Sequence, residues 1–361
     1  MTSTNSASLQ ARRPRLGPAG RLLYTLSQGT RVAWFLAQYR LAAQRASPVV
    51  KPDELPPGMP STGEILGRLF ELLRRDRDNI DRGIYAMPHD WFPRLLPALR
   101  MSRRFFADLD TVNRRRWQRA AQEVFETQRS AGSPYPRYFV QNFHFQTDGY
   151  LSDRSAELYD YQVEVLFHGA ADAMRRQALV PLAEFLHGRR IAETRLLDVA
   201  AGTGRFLTFV KDNYPRLPTI ALDLSPHYLR RAQALLARES RIGFVNAPAE
   251  AMPLADASID VVTCIYLLHE LPRKIREAVA REIARVLRPG GRLILMDSLQ
   301  EGDAPPLDPL LALFPKAYHE PYYADYTRTD LNRLFGEAGL VPVGAELAFF
   351  SKLAVFDKRP P

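Results

Sequence analysis

The spacing of apolar residues changes about half-way along the chain. Before residue 190, apolar side chains recur at helical intervals in several segments, for example at Leu22, Leu26, Val32 and Phe35, which predicts amphipathic helices. After residue 190, short apolar and β-branched runs alternate with helical segments. The runs span residues 195–200, 219–224, 242–246, 259–266 and 292–297. Such alternation predicts an α/β fold whose mostly parallel sheet has helices on both faces.

The patterns divide the chain into four regions. The first is rich in Ser, Ala, Arg and Pro, and we expect it to be unstructured. A mainly helical region follows, then a single long covering helix from about Ser155 to His187, then the α/β domain. Their bounds are 1–20, 21–150, 151–189 and 190–361. The last two apolar runs, Val341–Phe350 and Lys352–Asp357, are separated only by a tight connection, which predicts an antiparallel hairpin at the sheet edge.

The positive charge is concentrated in the N-terminal part. Of a net charge of +9, residues 1–150 hold 23 Lys and Arg against 13 Asp and Glu, and the remainder holds 26 against 27. A basic surface attracts nucleic acid or an anionic membrane. We favour a third interpretation, an ordinary solvated surface rich in arginine. The α/β domain is therefore nearly neutral.

Two further features bear on location. Residues 21–45 lack acidic residues and could lie on a membrane surface, although we favour their packing against the protein itself. No run approaches the roughly 18 apolar residues of a membrane-spanning helix. The single cysteine, Cys264, excludes an internal disulfide and a cysteine-based zinc site. We therefore expect a cytoplasmic protein.

A glycine-containing turn follows the first predicted strand, in the sequence Leu-Leu-Asp-Val-Ala-Ala-Gly-Thr-Gly-Arg-Phe of residues 196–206. Gly202 and Gly204 allow unusual dihedral angles and a close approach of ligand to backbone. A dinucleotide-binding turn would have a third glycine where this chain has Leu207. An acidic residue before the turn, Asp198, suits a cationic ligand. Asp223 ends the second strand, where a carboxylate can accept hydrogen bonds from a ribose.

With these segments the chain resembles the class I S-adenosylmethionine-dependent methyltransferases, and most closely the branch with the ubiquinone/menaquinone C-methyltransferases. The supporting segments are DVAAGTG, ALDLSP, AEAMPL, IDVVTCIYLLHELP and RVLRPGGRLILMD, in this order. The resemblance implies a Rossmann-like sheet of seven strands in the order 3-2-1-4-5-7-6, preceded here by the mainly helical region. It also implies S-adenosylmethionine as cofactor.

The resemblance assigns roles to individual residues. Next to the methionine moiety it implies Asp198, Ala200, Gly202 and Gly204, with Ala200 where many relatives have glycine. It also implies Asp223 at the ribose and Leu224 beside the adenine. Ala249 and Glu250 would lie at the adenine edge, Ile265 beneath the cofactor and Tyr159 at the cofactor carboxylate.

Methyl transfer depends mainly on alignment, and a base is needed only for a protonated acceptor. His269, followed by Glu270, is the candidate base; the alternative is that His269 only holds its loop by hydrogen bonds. Tyr318 and His319 belong to an aromatic segment that we expect to cover the acceptor, unless it only packs on the core. A second aromatic group around His144 is a candidate lid.

We therefore predict an enzyme that methylates a small aromatic or apolar acceptor at carbon or oxygen. The alternatives are a lipid- or RNA-directed methyltransferase and a non-catalytic interaction subunit. Nucleic acid is disfavoured because the segment after the fourth strand, residues 265–268, lacks an Asn/Asp-Pro-Pro-aromatic turn, and because Cys264 lies in a predicted buried strand. The histidine spacing predicts no metal site. The acceptor and the oligomeric state stay open.

Overall fold

The computed structural model describes residues 16–46, 55–90 and 95–360. The α-helices of these ranges are α1 Pro18–Arg45, α2 Thr62–Asp81, α3 Leu95–Gln118, α4 Glu123–Ser130, α5 Asp153–Leu166, α6 Ala171–Gln177, α7 Leu179–Leu186, α8 Arg205–Asn213, α9 Pro226–Leu235, α10 Arg273–Val286, α11 Asp308–Ala317, α12 Tyr323–Tyr326 and α13 Leu331–Glu337. The strands are β1 Leu196–Val199, β2 Thr219–Asp223, β3 Ile242–Asn246, β4 Ile259–Ile265, β5 Leu287–Ser298, β6 Leu340–Ala348 and β7 Ser351–Lys358.

The seven strands form one sheet in the order β3-β2-β1-β4-β5-β7-β6, which confirms the predicted Rossmann-like topology. The first five strands are parallel, whereas β7 runs antiparallel to both β5 and β6. The strand order reverses at β1, between β2 and β4. Ligands of open parallel sheets bind at the carboxyl ends of the strands at such a switch point.

Helices cover both faces of the sheet and bury its apolar side chains. On one face, α10 and α13 contribute Ile283 and Phe335 to a core shared with the central strands. On the other, α7 and α8 contribute Leu182 and Phe209. Strands that are buried on both faces have nearly continuous apolar runs in their sequence. The sequence pattern therefore located these strands well.

The predicted single covering helix between Ser155 and His187 is wrong, because the segment forms three helices, α5 to α7. Gly169 interrupts it with a φ of +85°, a conformation that glycine adopts at little cost. A Cβ at Gly169 would also lie 3.1 Å from the carbonyl oxygen of Arg31. The break therefore lets α1 pack closely against the loop between α5 and α6.

The N-terminal helices pack on the α/β domain. Tyr24, Val32 and Phe35 of α1 are buried, so one face of residues 21–45 packs against the protein itself. Arg31 forms ion pairs of 2.7 Å with both Glu164 and Asp172. These contacts join α1 to α5 and α6.

Several predictions concern residues at or beyond the limits of the described chain. Most of the predicted unstructured tail lies outside it, but Pro18 to Gly20 form the first turn of α1. Residues 47–54 of the proline-rich linker also lie outside. Within the described ranges, no helix is long and apolar enough to cross a bilayer, and no group of three or more His, Cys, Asp or Glu residues could hold a metal ion.

Candidate active site

The glycine turn after β1 contains three left-handed residues. Ala200, Gly202 and Gly204 have φ values of +57°, +56° and +76°. No heavy atom lies within 4 Å of the position that a Cβ at Gly202 would take, so this glycine leaves open space beside the backbone. Ala200 adopts the left-handed conformation despite its Cβ, which typically costs roughly 1–2 kcal/mol.

Gly204 has a different environment from the one expected. A Cβ there would lie 3.0 Å from Cβ of Ala232 and 3.0 Å from Cδ1 of Leu236. This glycine allows α8 and α9 to pack closely at the start of α8, and it lies outside the pocket wall. Its missing side chain thus serves helix packing.

Two carboxylates lie at the ends of adjacent strands. Oδ1 of Asp198 accepts a 2.6 Å hydrogen bond from the Thr263 hydroxyl, and the two oxygens of Asp223 accept hydrogen bonds from the backbone N–H groups of Gly202 and Ser225. Burial raises the pKa of Asp198 to about 7 and that of Asp223 to about 6. In the described part of the chain neither carboxylate forms an ion pair, so each one places a negative charge at the pocket wall when it is ionised.

One pocket of about 120 Å³ lies at the carboxyl ends of β1, β2 and β4. It contains most of the residues singled out from the sequence. These are Tyr159, Asp198, Ala200, Gly202, Asp223, Leu224, Ala249, Glu250, Ile265 and Glu270. The switch point of the sheet therefore brings together residues that lie more than one hundred positions apart.

Two glutamates in the pocket wall are held by tyrosines from the N-terminal half. The hydroxyl of Tyr138 donates to Oε1 of Glu250, and that of Tyr150 donates to Oε1 of Glu270, both at 2.5 Å. Oε2 of Glu250 is buried and has no hydrogen-bond partner within the described chain. Burial raises the pKa of Glu270 to about 7, although the neighbouring charge of His269 opposes this.

His269 lies behind the pocket wall. Its Nδ1 is 2.5 Å from Oδ1 of Asp297, and its Nε2 is 3.9 Å from Oε1 of Glu270. Burial alone would lower the pKa of His269, but the negative charge and hydrogen bond of Asp297 outweigh it and raise the pKa to about 9. The imidazole is therefore protonated at neutral pH.

The other aromatic residues singled out from the sequence lie in different parts of the structure. Tyr318 and His144 line a second cavity, with ring centroids 5.8 Å apart. His319 lines neither cavity, and its Nε2 lies 3.1 Å from Oε1 of Gln141. Of the group around His144, Phe143 and Tyr150 line the first pocket.

Sequence reasoning missed several residues of the pocket wall. Arg175 belongs to α6 and Tyr228 to α9, and both line the pocket. Arg205 lines it too, and its guanidinium binds Asp172 at 2.5 Å. Only Tyr228 gave a usable signal, because it follows shortly after Asp223 on the next predicted helix. Arg175 had none, since only the break at Gly169 turns α6 towards the pocket.

Comparison with known proteins agrees with this geometry. The family described as "Methyltransferase domain" matches residues 196–291. Over 196 residues the chain is 33% identical to the ubiquinone/menaquinone biosynthesis C-methyltransferase UbiE of Syntrophotalea carbinolica, covering 54% of this chain and 73% of that protein. The chain belongs to the class I S-adenosylmethionine-dependent methyltransferases. S-adenosylmethionine is accordingly the cofactor of this methyltransferase.

Other similarities of this methyltransferase are more partial. It is 37% identical over 144 residues to the demethylmenaquinone methyltransferase of Deinococcus radiodurans, covering 39% of this chain and 56% of that one. The crystal structure of human N-acetylserotonin methyltransferase in complex with SAM aligns with a TM-score of 0.46 at 16% identity, covering 64% of this chain and 62% of that one.

The pocket of this methyltransferase fits S-adenosylmethionine on its own features. The cofactor carries a sulfonium and an ammonium group, and Asp198 and Asp223 provide buried negative charge without a cationic partner in the described chain. Gly202 leaves room beside the backbone. The free Oε2 of Glu250 can accept a hydrogen bond from the adenine amine.

Proposed function

We propose that this methyltransferase transfers a methyl group from S-adenosylmethionine to carbon or oxygen of a small aromatic or apolar acceptor. The supporting observation is one pocket that is lined by both carboxylates and aromatic rings. Asp198 and Asp223 come from β1 and β2, and Phe143, Tyr150 and Tyr159 come from the N-terminal half of the chain. Aromatic walls favour a flat or apolar partner and can also stabilise a cation by their faces.

In this proposal each wall of the pocket holds one part of the cofactor. Asp198, Ala200 and Gly202 contact the methionine moiety, and Asp223 accepts hydrogen bonds from the ribose. Leu224 packs on the adenine. The remaining contacts are those of Ala249 and Glu250 at the adenine edge, Ile265 beneath the cofactor and Tyr159 at the cofactor carboxylate.

S-adenosylmethionine, when bound, supplies a methyl group on a positively charged sulfur that is open to in-line attack. Glu270 is the group best suited to take a proton from the acceptor, because it lines the pocket and its pKa of about 7 lies near the working pH. Tyr150 donates a hydrogen bond to Oε1 of Glu270, and in this proposal Oε2 takes the proton.

His269 acts as a positioning residue in this proposal, in place of the base considered from the sequence. Asp297 keeps the imidazole protonated, so His269 cannot readily accept a further proton at neutral pH. Its positive charge near Oε1 of Glu270 stabilises the ionised form of that carboxylate. His269 thus adjusts the pKa of the base.

The test uses purified full-length protein and S-adenosylmethionine labelled in the methyl group. Naphthalene-1,4-diol serves as a flat apolar acceptor, with bulk RNA and phospholipid vesicles offered separately. We expect label in the diol product and a Glu270→Gln variant with kcat lowered about 10²-fold or more. The affinity for S-adenosylmethionine, measured by calorimetry, should stay within about threefold because Glu270 acts on the acceptor.

A matched control is Glu277→Gln, which changes a glutamate outside the pocket and should leave kcat unchanged. Label that enters RNA or phospholipid and not the diol would contradict the proposed acceptor class. Normal kcat in the Glu270→Gln variant would contradict the assignment of the base.

A further inference from the structure

A second cavity of about 330 Å³ lies between the N-terminal helices and α5. Its walls come from α1, α3 and α5 and from the segment after α11. The wall is mainly apolar and includes Ala43, Leu109, Tyr159 and Tyr318. Small-molecule sites in proteins are lined mainly by apolar and aromatic side chains with a few polar groups, so this cavity has the lining of a ligand site.

The second cavity adjoins the cofactor pocket. Tyr159 contributes to both walls, and its ring packs edge-to-face on Tyr150 and Tyr228 at centroid distances of 6.1 and 5.4 Å. Both of these tyrosines line the cofactor pocket. One side chain thus stands between the place where the methyl donor binds and a preformed apolar space.

A positive charge stands in the wall of this cavity. Arg116 lines it, and its guanidinium lies 4.8 Å from the ring centroid of Tyr318. Nε of Arg116 is buried and lacks a hydrogen-bond partner in the described part of the chain. A buried N–H without a partner is costly, and an anionic oxygen in the cavity would satisfy it.

The acidic residue in the same wall does not neutralise Arg116. Oδ1 of Asp108 accepts hydrogen bonds from Thr147 at 2.8 Å and from Arg154 at 3.0 Å. His144, also in the wall, is neutral at pH 7 because burial and then the charges of His269 and Arg116 lower its pKa to about 3. The uncompensated charge of the cavity is therefore positive.

From these observations we propose that the cavity between α1, α3 and α5 binds a small apolar anion as the methyl acceptor. The apolar body of the acceptor lies against α1 and α3, an anionic oxygen binds Arg116, and a separate reacting atom extends past Tyr159 to Glu270 and the cofactor in the first pocket. This inference rests on the proposed function, since it names the acceptor class and places the acceptor beyond Tyr159. It makes the N-terminal helices a substrate-binding part of the enzyme.

Two fluorescent probes of matched shape test the proposal. The first, 1-anilinonaphthalene-8-sulfonate, joins two apolar ring systems and an anion, and the second, N-phenyl-1-naphthylamine, has the same rings without the anion. We expect saturable binding of both probes to the full-length protein. Arg116→Met should weaken the sulfonate about tenfold, as loss of one charge-assisted hydrogen bond predicts, and leave the uncharged probe within about twofold.

A second pair of variants tests the place of binding. Leu109→Trp fills the cavity and should weaken both probes at least tenfold, whereas Leu99→Trp adds the same ring at a half-exposed position of the same helix and should not. Ala43→Phe is a second filling variant from the opposite wall, should Leu109→Trp fail to fold by circular dichroism. Unchanged probe binding in the folded filling variants, or equal effects of Arg116→Met on both probes, would overturn the proposal.

Titration with S-adenosylmethionine separates this inference from the proposed function. We expect the cofactor to bind alongside either probe and to change probe affinity by less than about twofold. Displacement of the probes by the cofactor would place them in the first pocket and overturn the inference. Absence of cofactor binding in the unmodified protein would instead remove the proposed function itself.

Discussion

The backbone N–H of Gly202 donates a 2.8 Å hydrogen bond to Oδ2 of Asp223. The glycine turn after the first strand is thereby tied to the end of the second strand. The other oxygen of Asp223 accepts from the N–H of Ser225 at the start of α9. One carboxylate thus orders two loops at the switch point and keeps lone pairs for a ligand.

Replacing Asp223 by alanine should therefore weaken cofactor binding strongly. Hydrogen bonds to charged groups are worth roughly 1.5–3 kcal/mol each, so we expect the Kd for S-adenosylmethionine to rise about 10- to 150-fold by calorimetry. Asp256→Ala is the control, because its side chain is 79% exposed and remote from the pocket. An Asp223→Ala variant with the affinity of the unmodified protein would refute the assigned role.

Cofactor affinity should depend on pH. In the ligand-free pocket, burial raises the pKa of Asp198 to about 7 and that of Asp223 to about 6, and protons then compete with a cationic ligand as the pH falls. Asp198 alone should make binding about tenfold weaker at pH 6 than at pH 8, and Asp223 should add a further loss below pH 6. Calorimetry from pH 5.5 to 8 measures this.

The matched variant for this prediction is Asp198→Asn, which cannot titrate. Its affinity should be lower at pH 8 and nearly constant between pH 8 and pH 6.5. An equally steep pH dependence in the variant would show that another group takes up the proton.

The pair formed by His269 and Asp297 predicts a shifted histidine titration. We expect NMR to give a pKa of about 9 for His269. In Asp297→Asn the pKa should fall well below this value, because only the charges of Glu270 and Glu320 then oppose the effect of burial. Asp212→Asn is the control: it removes the 2.7 Å partner of His89, so it should lower the pKa of His89 alone.

The same pair should contribute to stability in a defined pH range. The folded-state pKa of His269 lies above its unfolded value, so this stabilisation is complete below about pH 6.5 and is lost as the pH rises to about 9. Urea unfolding of the unmodified protein and of Asp297→Asn at both ends of this range measures it. The difference in free energy of unfolding between the two proteins should shrink towards pH 9; a constant difference would contradict the prediction.

Loss of Arg31 should destabilise the whole protein. Its guanidinium pairs with Glu164 and Asp172, whose side chains are each only 4% exposed. Removing one partner of a buried ion network typically costs about 3–5 kcal/mol, so Arg31→Met should lower the free energy of unfolding by about 3 kcal/mol or more. Arg74→Met, which breaks an exposed pair with Asp78, should cost less than about 1 kcal/mol. Equal effects in urea unfolding would show that the Arg31 network is not stabilising.

Much of the site was predictable because it depends on local sequence. Asp198 lies next to the last residue of β1 and Asp223 ends β2, and the ends of parallel strands meet at one edge of the sheet. Glu270 follows β4 for the same reason. In contrast, the helix-packing environment of Gly204 was not predictable, because its neighbours Ala232 and Leu236 come from the next helix and no local pattern indicates them.

The protonation of His269 shows more clearly what cannot be predicted from the sequence alone. The sequence showed a histidine after the fourth strand, which suits a base. The structure puts Asp297, from the end of β5, 2.5 Å from its ring, and that charge keeps the proton on the imidazole. A pKa depends on burial and on charges brought in from distant positions, and neither is visible in a single segment.

By itself, the sequence determined where the strands and the glycine turn lie and which carboxylates end the strands, since alternation, apolar runs and glycine conformations act over a few residues. Only the tertiary structure decided that the covering segment breaks at Gly169, that an apolar cavity opens beside Tyr159, and that Arg116 stands there without a hydrogen-bond partner for Nε in the described chain. Cavities and unpaired charges arise from the fit between helices that are remote along the chain, and that fit follows from packing the whole core.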